Sequence, residues 1–461
     1  MRRIAVFLLV HLFLVFPALA QDYLTLEEIV GLNRVVSVAM SPSGDRIAYL
    51  RQVPRELYVD ADGPAYVELH TVDLEGNSTA YVTGNIEITA YAWSPGGDAI
   101  YFVARRDAEA EFNSLYRIPL AGGEAEVLFT HVSDLIGIYP APNGKSIAFT
   151  AADAPPEKVT ELVEKGFKAV VFEESVPETH VWLLDLETRE TERHDLPGSA
   201  YVLDWSSDSG RYAVGLAPSP LVDASFTSQD VHVVDASSGE VLNQIGSVGK
   251  LGHFEFSPDG ERIAYVGSVD EHDPQNGRLY LASASGGERR DLVPNYMGHI
   301  NDFAWIDDVS IRWVGGRGVY TEVQVADTGA TTEVDQPEEE GVVILSMHAN
   351  AGQRAFAAVA DSPEHPPEVF LVRDGEAPAR LTDSNPVLAD RQMLRQEVIT
   401  YEARDGLELQ AILIHPATKQ RGGNPAVFLI HGGPEAHVSN GWMSSYSRPA
   451  HVLAAEGYVV A

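Results

Sequence analysis

Ser257-Pro258-Asp259-Gly260-Glu261-Arg262-Ile263-Ala264-Tyr265 decides how this chain is read. Proline presets φ at the second position of a β-turn, and glycine closes the turn. The Ile-Ala-Tyr that follows has the β-branched and aromatic make-up of a buried strand. An aromatic strand, Phe254-Glu255-Phe256, runs into the turn. The unit is therefore strand, tight turn, strand.

The same unit recurs along the chain. It reads Ser41-Pro42-Ser43-Gly44-Asp45-Arg46-Ile47-Ala48-Tyr49, then Ser94-Pro95-Gly96-Gly97-Asp98-Ala99-Ile100-Tyr101-Phe102, then Ala141-Pro142-Asn143-Gly144-Lys145-Ser146-Ile147-Ala148-Phe149. A looser copy runs from Ser206 to Val214, and degenerate ones from Ile306 to Trp313 and from Ala349 to Ala357. Copies begin 43 to 65 residues apart. Each is followed by a second strand pair, as in Leu115-Tyr116-Arg117-Ile118 with Ala125-Glu126-Val127-Leu128, joined by Gly122-Gly123. Four strands per period of this length mark one blade of a β-propeller, and seven copies give seven blades. An open solenoid or a sandwich is the weaker alternative, because turn chemistry and strand pattern agree in register at least five times. The Asp and Gly residues of the turns serve backbone shape; they lack the dense carboxylate spacing of a calcium loop.

The longest step, from Ala141 to Ser206, carries an insertion between Ala154 and Glu178. Glu157 to Lys165 has helical spacing, and Val170-Val171-Phe172-Glu173-Glu174 follows. The insertion is expected to project from one rim. Read from the residues alone, Glu173 and Glu174 form a solvated acidic loop, although such a pair can hold a cationic group such as a peptide amino terminus.

The pattern changes near Gln392. Glu397 to Ala403 and Leu407 to His415 read as strands around an Asp405-Gly406 turn. Ala426-Val427-Phe428-Leu429-Ile430 is wholly apolar, as expected of a strand covered on both faces. It runs into His431-Gly432-Gly433-Pro434. A helix over Arg448 to Glu456 and a strand over Tyr458 to Ala461 follow. This is the opening of an α/β sheet. An apolar strand ending in His-Gly-Gly supplies a backbone N–H to the oxyanion hole of α/β-hydrolases, where glycine lets the backbone approach a reacting carbonyl.

The ends and the composition set further bounds. Arg2 and Arg3 precede an apolar run from Ile4 to Phe16, and Ala18-Leu19-Ala20 offers a cleavage site, so residues 1–20 read as a cleaved export signal. The run is too short to span a bilayer, so no membrane association is expected after cleavage, and the protein is expected in the periplasm or the medium. The 461 residues contain no cysteine, which excludes a disulfide scaffold, a Cys nucleophile and a thiolate metal site. A formal charge of −35 disfavours nucleic acid. Clusters such as Glu338-Glu339-Glu340 read as turns on a generally acidic surface. No cofactor or metal is implied.

The Ser-Pro-Asp-Gly repeats, the Asp405-Gly406 hairpin and the His431-Gly432-Gly433-Pro434 strand end together resemble the prolyl oligopeptidase family of serine peptidases. The His-Gly-Gly-Pro form is most similar to its acylaminoacyl-peptidase and dipeptidyl-aminopeptidase branch. That resemblance implies a propeller over an α/β-hydrolase domain, short peptides as substrates, and folded proteins excluded by the propeller. It places His431, Gly432, Gly433 and Pro434 in the oxyanion loop, and it makes Glu173 and Glu174 similar to a double-Glu stretch that binds a substrate amino terminus. The expected organisation is a signal over 1–20, an N-terminal segment over 21–36, a seven-bladed propeller over 37–392, and the first part of a hydrolase domain over 393–461.

One family feature does not occur. No Gly-x-Ser-x-Gly elbow is present, and Ser439, Ser444, Ser445 and Ser447 are not in one. The order Ser, Asp, His on this fold keeps His437 and His451 from being the family's base; both are expected in packing or at the surface. The sequence therefore reads as the front part of a longer serine peptidase, without a triad and inactive by itself. A non-catalytic propeller similar to the periplasmic Tol-system protein and an esterase on the same scaffold are the competing readings.

Overall fold

The computed structural model describes residues 23–461, apart from 108, 170, 175, 273–276, 333–340 and 434–436. The expected export signal, Val170, Glu338-Glu339-Glu340 and Pro434 lie outside the described residues.

The repeated turn is built by its own side chains. Gly260 N–H donates to the Ser257 carbonyl at 2.7 Å, and Gly260 takes the left-handed backbone, φ 74°, that the turn requires. The Ser257 hydroxyl donates to Asp259 at 2.5 Å and accepts the Arg262 N–H at 3.0 Å, which ties the turn to the strand after it. Ser94 with Asp98 and Ser206 with Asp208 repeat the arrangement. The serine hydroxyls hold all three carboxyls below the ordinary Asp range. In the looser copy Ser209, not the following glycine, occupies the left-handed position.

Among the described residues, seven antiparallel sheets follow one another in chain order. The first consists of Arg34–Met40, Arg46–Val53, Tyr66–Asp73 and Ser78–Val82, in that spatial order. Sheets two to five begin at Ile88–Trp93, Leu135–Pro140, Ser199–Trp205 and Leu251–Phe256, and the seventh at Val343–His348; each has four strands. The sixth departs from the expected four. Its described strands are His299–Asp307, Ser310–Arg317 and Tyr320–Asp327, and the sequence after them, 333–340, is outside the described residues. The first strand of every sheet is paired with a register shift, such as that between Val35 and Ser37 or between Ile344 and Ser346. Such bulges sharpen strand twist, which a sheet needs where it narrows toward a common axis.

Seven apolar clusters hold the sheets together, and each is shared by two neighbours. Leu50 and Leu69 of the first sheet meet Phe102 of the second; Val103 meets Phe149; Val181 meets Tyr212; Val233 meets Tyr265; Leu281 meets Trp313; Val314 meets Phe356. The last cluster joins Val359 and Leu371 of the seventh sheet to Val38 and Tyr49 of the first, so the succession closes into a ring. Tryptophans at or near the ends of three first strands pin neighbours: Trp93, Trp205 and Trp305 donate indole N–H groups to the carbonyls of Ala39, Tyr139 and Glu255.

Closure is reinforced where the chain joins and leaves the ring. Asn33 N–H donates to Asn385 Oδ1 at 2.7 Å, Asn385 Nδ2 donates to the Asn33 carbonyl at 2.9 Å, and Asn33 Nδ2 donates to the Ser384 carbonyl at 2.9 Å. A short helix, Leu26–Val30, starts with a Thr25 capping box. Its Glu28 accepts a two-pronged contact from Arg391, so the strands' two flanking connections lie side by side.

After Asp390 the chain forms a separate four-stranded sheet in the order Gln396–Glu402, Glu408–Ile414, Val459–Val460, Ala426–Val427. The last two strands are parallel. The helix Ala450–Ala455 covers one face through Ala450, Ala454 and Leu453, packed with Ile414, Leu429 and Val460. The strand expected over Ala426 to Ile430 and covered on both faces needs correction. Regular strand ends at Val427, and Phe428 and Ile430 are 72% and 89% exposed. The strand is at the edge, and among the described residues a helix covers only the face that takes Leu429. The insertion contains the helix Glu157–Glu164, none of whose residues is buried. A second short helix, Val222–Thr227, lies at the same position in the fourth sheet and was not expected.

Removing the clasp tests closure. Asn385→Ala removes a buried amide and leaves the part-buried Asn33 N–H and carbonyl without it, and is expected to cost about 1–3 kcal/mol. It lowers the midpoint of thermal unfolding by several degrees, read by circular dichroism.

Candidate active site

The expected oxyanion segment stands at the end of the parallel edge strand. Val459 N–H donates to the Pro425 carbonyl, Ala461 N–H to Val427, and Leu429 N–H to Ala461 at 2.7 Å, so the ladder carries the chain to within two residues of His431. His431, Gly432 and Gly433 then leave regular structure and are exposed. The His431 ring N–H donates to the Gly432 carbonyl at 3.0 Å. Nothing lies within 4 Å of where a Gly432 side chain would start, so open space faces its backbone. Such backbone at the end of a parallel strand can offer an N–H to a developing oxyanion. Pro434 falls outside the described residues.

Glu173 and Glu174 lie after the insertion helix, on the connection between the second and third strands of the third sheet. Both are exposed; the Glu174 N–H donates to the Val171 carbonyl at 3.3 Å, and among the described residues neither carboxylate has a hydrogen-bond or ion-pair partner. Glu173 takes the left-handed backbone with φ 61°, which is costly for a non-glycine residue. No contact brings the pair to the His431 loop among the described residues.

The two histidines after that loop differ. His451 is buried; its Nδ1 accepts from the Ser444 hydroxyl at 2.6 Å and its ring stacks on Trp442 with centroids 4.7 Å apart. Burial pushes its pKa down to about 4. It is a neutral packing group, as expected. His437 is exposed and donates through Nε2 to the Gly318 carbonyl in the sixth sheet.

A second set of titratable side chains was not anticipated. The first strands of the sheets contact one another around the ring, and His253, Glu255, Asp302, Asp204 and His348 sit on them. His253 Nδ1 donates to Asp302 Oδ1 at 2.8 Å, and His253 Nε2 lies 3.4 Å from Glu255 Oε1. Asp302 Oδ2 accepts the Met347 N–H at 2.9 Å, and Asp204 accepts the Phe256 N–H at 2.7 Å, so both also link neighbouring sheets. Burial disfavours the charged imidazole of His253, but the bonds from Asp302 and Glu255 outweigh it and raise its pKa well above the usual value. Burial, with the Glu255 charge adding to it, pushes Asp204 up to about 7. The alternation His253-Phe254-Glu255 places both polar residues on one strand face; this was the available signal.

No family model matches the sequence. A dipeptidyl-peptidase 5 of Porphyromonas gingivalis is 23% identical over 480 residues, spanning 95% of this chain and 67% of the relative. A peptidase of Bacillus subtilis named YuxL is 25% identical over 506 residues, spanning 95% of this chain and 70% of the relative. The solved acylaminoacyl peptidase of Pyrococcus horikoshii superposes with a TM-score of 0.70 at 14% identity, over 95% of this chain and 66% of that protein. The chain thus spans about two thirds of the length of the proteins it matches, and it shares their fold.

The His253–Asp302 pair predicts a pH-dependent stability. The folded pKa of His253 is raised, so the pair stabilises below the ordinary histidine pKa, about 6.5, and loses that contribution as pH rises through the folded value. Asp302→Asn is therefore expected to lower the thermal midpoint more at pH 6 than at pH 9. An equal loss at both pH values contradicts this.

Proposed function

We propose that this protein, which belongs with the prolyl oligopeptidase family of serine peptidases, hydrolyses short peptides and releases aminoacyl, acylaminoacyl or dipeptidyl units. The observation that carries the reading is the His431-Gly432-Gly433 loop, open to solvent at the end of a parallel strand, next to a ring of sheets. In this reading the ring is a seven-bladed propeller that limits access to the hydrolase domain, and a backbone N–H of the loop stabilises the oxyanion of the tetrahedral intermediate. The Ser, Asp and His of the triad are expected in the third of the relatives' length that this chain does not span. The 461 residues alone are expected to be inactive.

Dipeptidyl release is the preferred product class. Its support is the exposed Glu173-Glu174 pair, with Glu173 held in a strained backbone, as at sites that fix a charged ligand. A carboxylate pair suits a protonated amino terminus, and the net charge of −35 favours cationic substrates near the ring. The apolar run of the first twenty residues supports an exported protein.

The test uses the full-length protein with chromogenic amides: dipeptidyl, aminoacyl and N-acylaminoacyl, each beside a simple ester. Turnover of dipeptidyl amides, with one serine labelled by a fluorophosphonate, is expected. Turnover of esters alone makes the protein an esterase, and no turnover of any substrate leaves a binding ring. Glu173→Gln with Glu174→Gln is expected to raise KM for dipeptidyl amides at least about tenfold, the loss of a charge-assisted contact, and to leave N-acylated substrates unchanged.

A further inference from the structure

The chain four residues beyond Gly433 is fixed from three directions, two of them belonging to the ring. On the first side is the hairpin between Ser310–Arg317 and Tyr320–Asp327 of the sixth sheet. His437 Nε2–H donates to the Gly318 carbonyl, and Asn440 N–H donates to the Val319 carbonyl at 2.7 Å. On the second side is Asp361, buried near the end of Ala355–Ser362 in the seventh sheet; a methyl group at Gly441 would overlap its carboxylate. On the third side is the first strand of the α/β sheet. Gln396 Nε2 donates to Asn440 Oδ1 at 2.9 Å and to the Gly441 carbonyl at 3.0 Å.

These contacts do not follow from packing of apolar surface. Residues 437–440 carry no buried side chain, so polar bonds set their position. The hairpin tip is shaped to make them. Gly318 has a left-handed backbone with φ 58°, and a side chain there would overlap Gln410 of the α/β sheet. The tip can therefore approach both the segment and that sheet only with glycine at this position.

His437 is four residues after Gly433, at most about 14 Å of extended chain. The parallel strand fixes the other end of the loop through Leu429 and Ala461. We propose that the sixth-sheet hairpin, through the Gly318 and Val319 carbonyls, positions the His431-Gly432-Gly433 loop, with His437 as the positioning residue. The inference rests on the oxyanion reading of that loop and adds what orients it. The ring then has a part in the chemical step besides screening substrates.

The test is His437→Phe in the full-length protein, with His437→Gln as the conservative variant that keeps a donor. His437 is exposed, so neither change disturbs a core. Two readouts are used. Hydrogen exchange of a peptic fragment covering 428–433 is expected to quicken at least about fivefold in the Phe variant and to return toward the parent value in the Gln variant. With the best chromogenic amide, kcat is expected to fall about tenfold to a hundredfold in the Phe variant while KM stays within twofold, since a misplaced oxyanion donor acts on the transition state. Unchanged exchange in the Phe variant overturns the proposal, and so does a change confined to KM. Quickened exchange in a protein that hydrolyses nothing in the panel supports the positioning contact and overturns the oxyanion reading instead.

Discussion

A ring of separate sheets has no covalent bond across its seam, and that is the constraint on which this structure depends. Among the described residues, every strand of the first sheet comes from residues 34–82 and every strand of the seventh from residues 343–380, so none of them is shared between beginning and end. The seam is closed by apolar packing of Val38, Met40 and Tyr49 against Ala357, Val359 and Leu371, and by polar contacts at its two ends. At one end is the Asn33–Asn385 clasp. At the other, Asn350 Nδ2 and Gln353 Nε2 donate to the Ser41 carbonyl. The seventh motif copy carries Asn350 where four other copies carry proline and Gln353 directly after its turn glycine, and these amides make the contacts. The α/β sheet leaves the ring at this seam, through Arg391 and its contact with Glu28. Its place on the hairpins of the sixth and seventh sheets thus depends on the seam holding.

What was legible in the sequence was local. The turn chemistry of Ser257 to Arg262 involves residues within five positions of each other, and its repetition marked the sheets. The His431-Gly432-Gly433 segment is likewise a local feature, three consecutive residues after an apolar run. What escaped was set by distant partners. Ala426 to Ile430 looks doubly covered by composition, yet the faces of an edge strand depend on what packs there, and Phe428 and Ile430 are exposed. The role of Gly318 depends on Gln410 and His437, about ninety and a hundred and twenty residues away. Asp302 and His253 were likewise unremarkable until adjacent sheets brought them together.

The ring's polar lining and its rim follow different physics. On the first strands, His253, Asp302 and Asp204 each bond to a neighbouring sheet's backbone or side chain, and burial raises the pKa of Asp204 to about 7. On the connection that holds the insertion helix and Glu173-Glu174, the described side chains are exposed, and Lys165 pairs with Glu161 at 3.3 Å.

The most direct test of this account is a length series. Unstructured peptides of about four to forty residues and one stably folded protein of the same composition are offered to the full-length protein, and products are followed by mass spectrometry. The account predicts stepwise release of short units from the amino termini of the smaller peptides, a rate that falls with length, and an intact folded protein. Cleavage of the folded protein, or internal cuts at a rate independent of length, would contradict it.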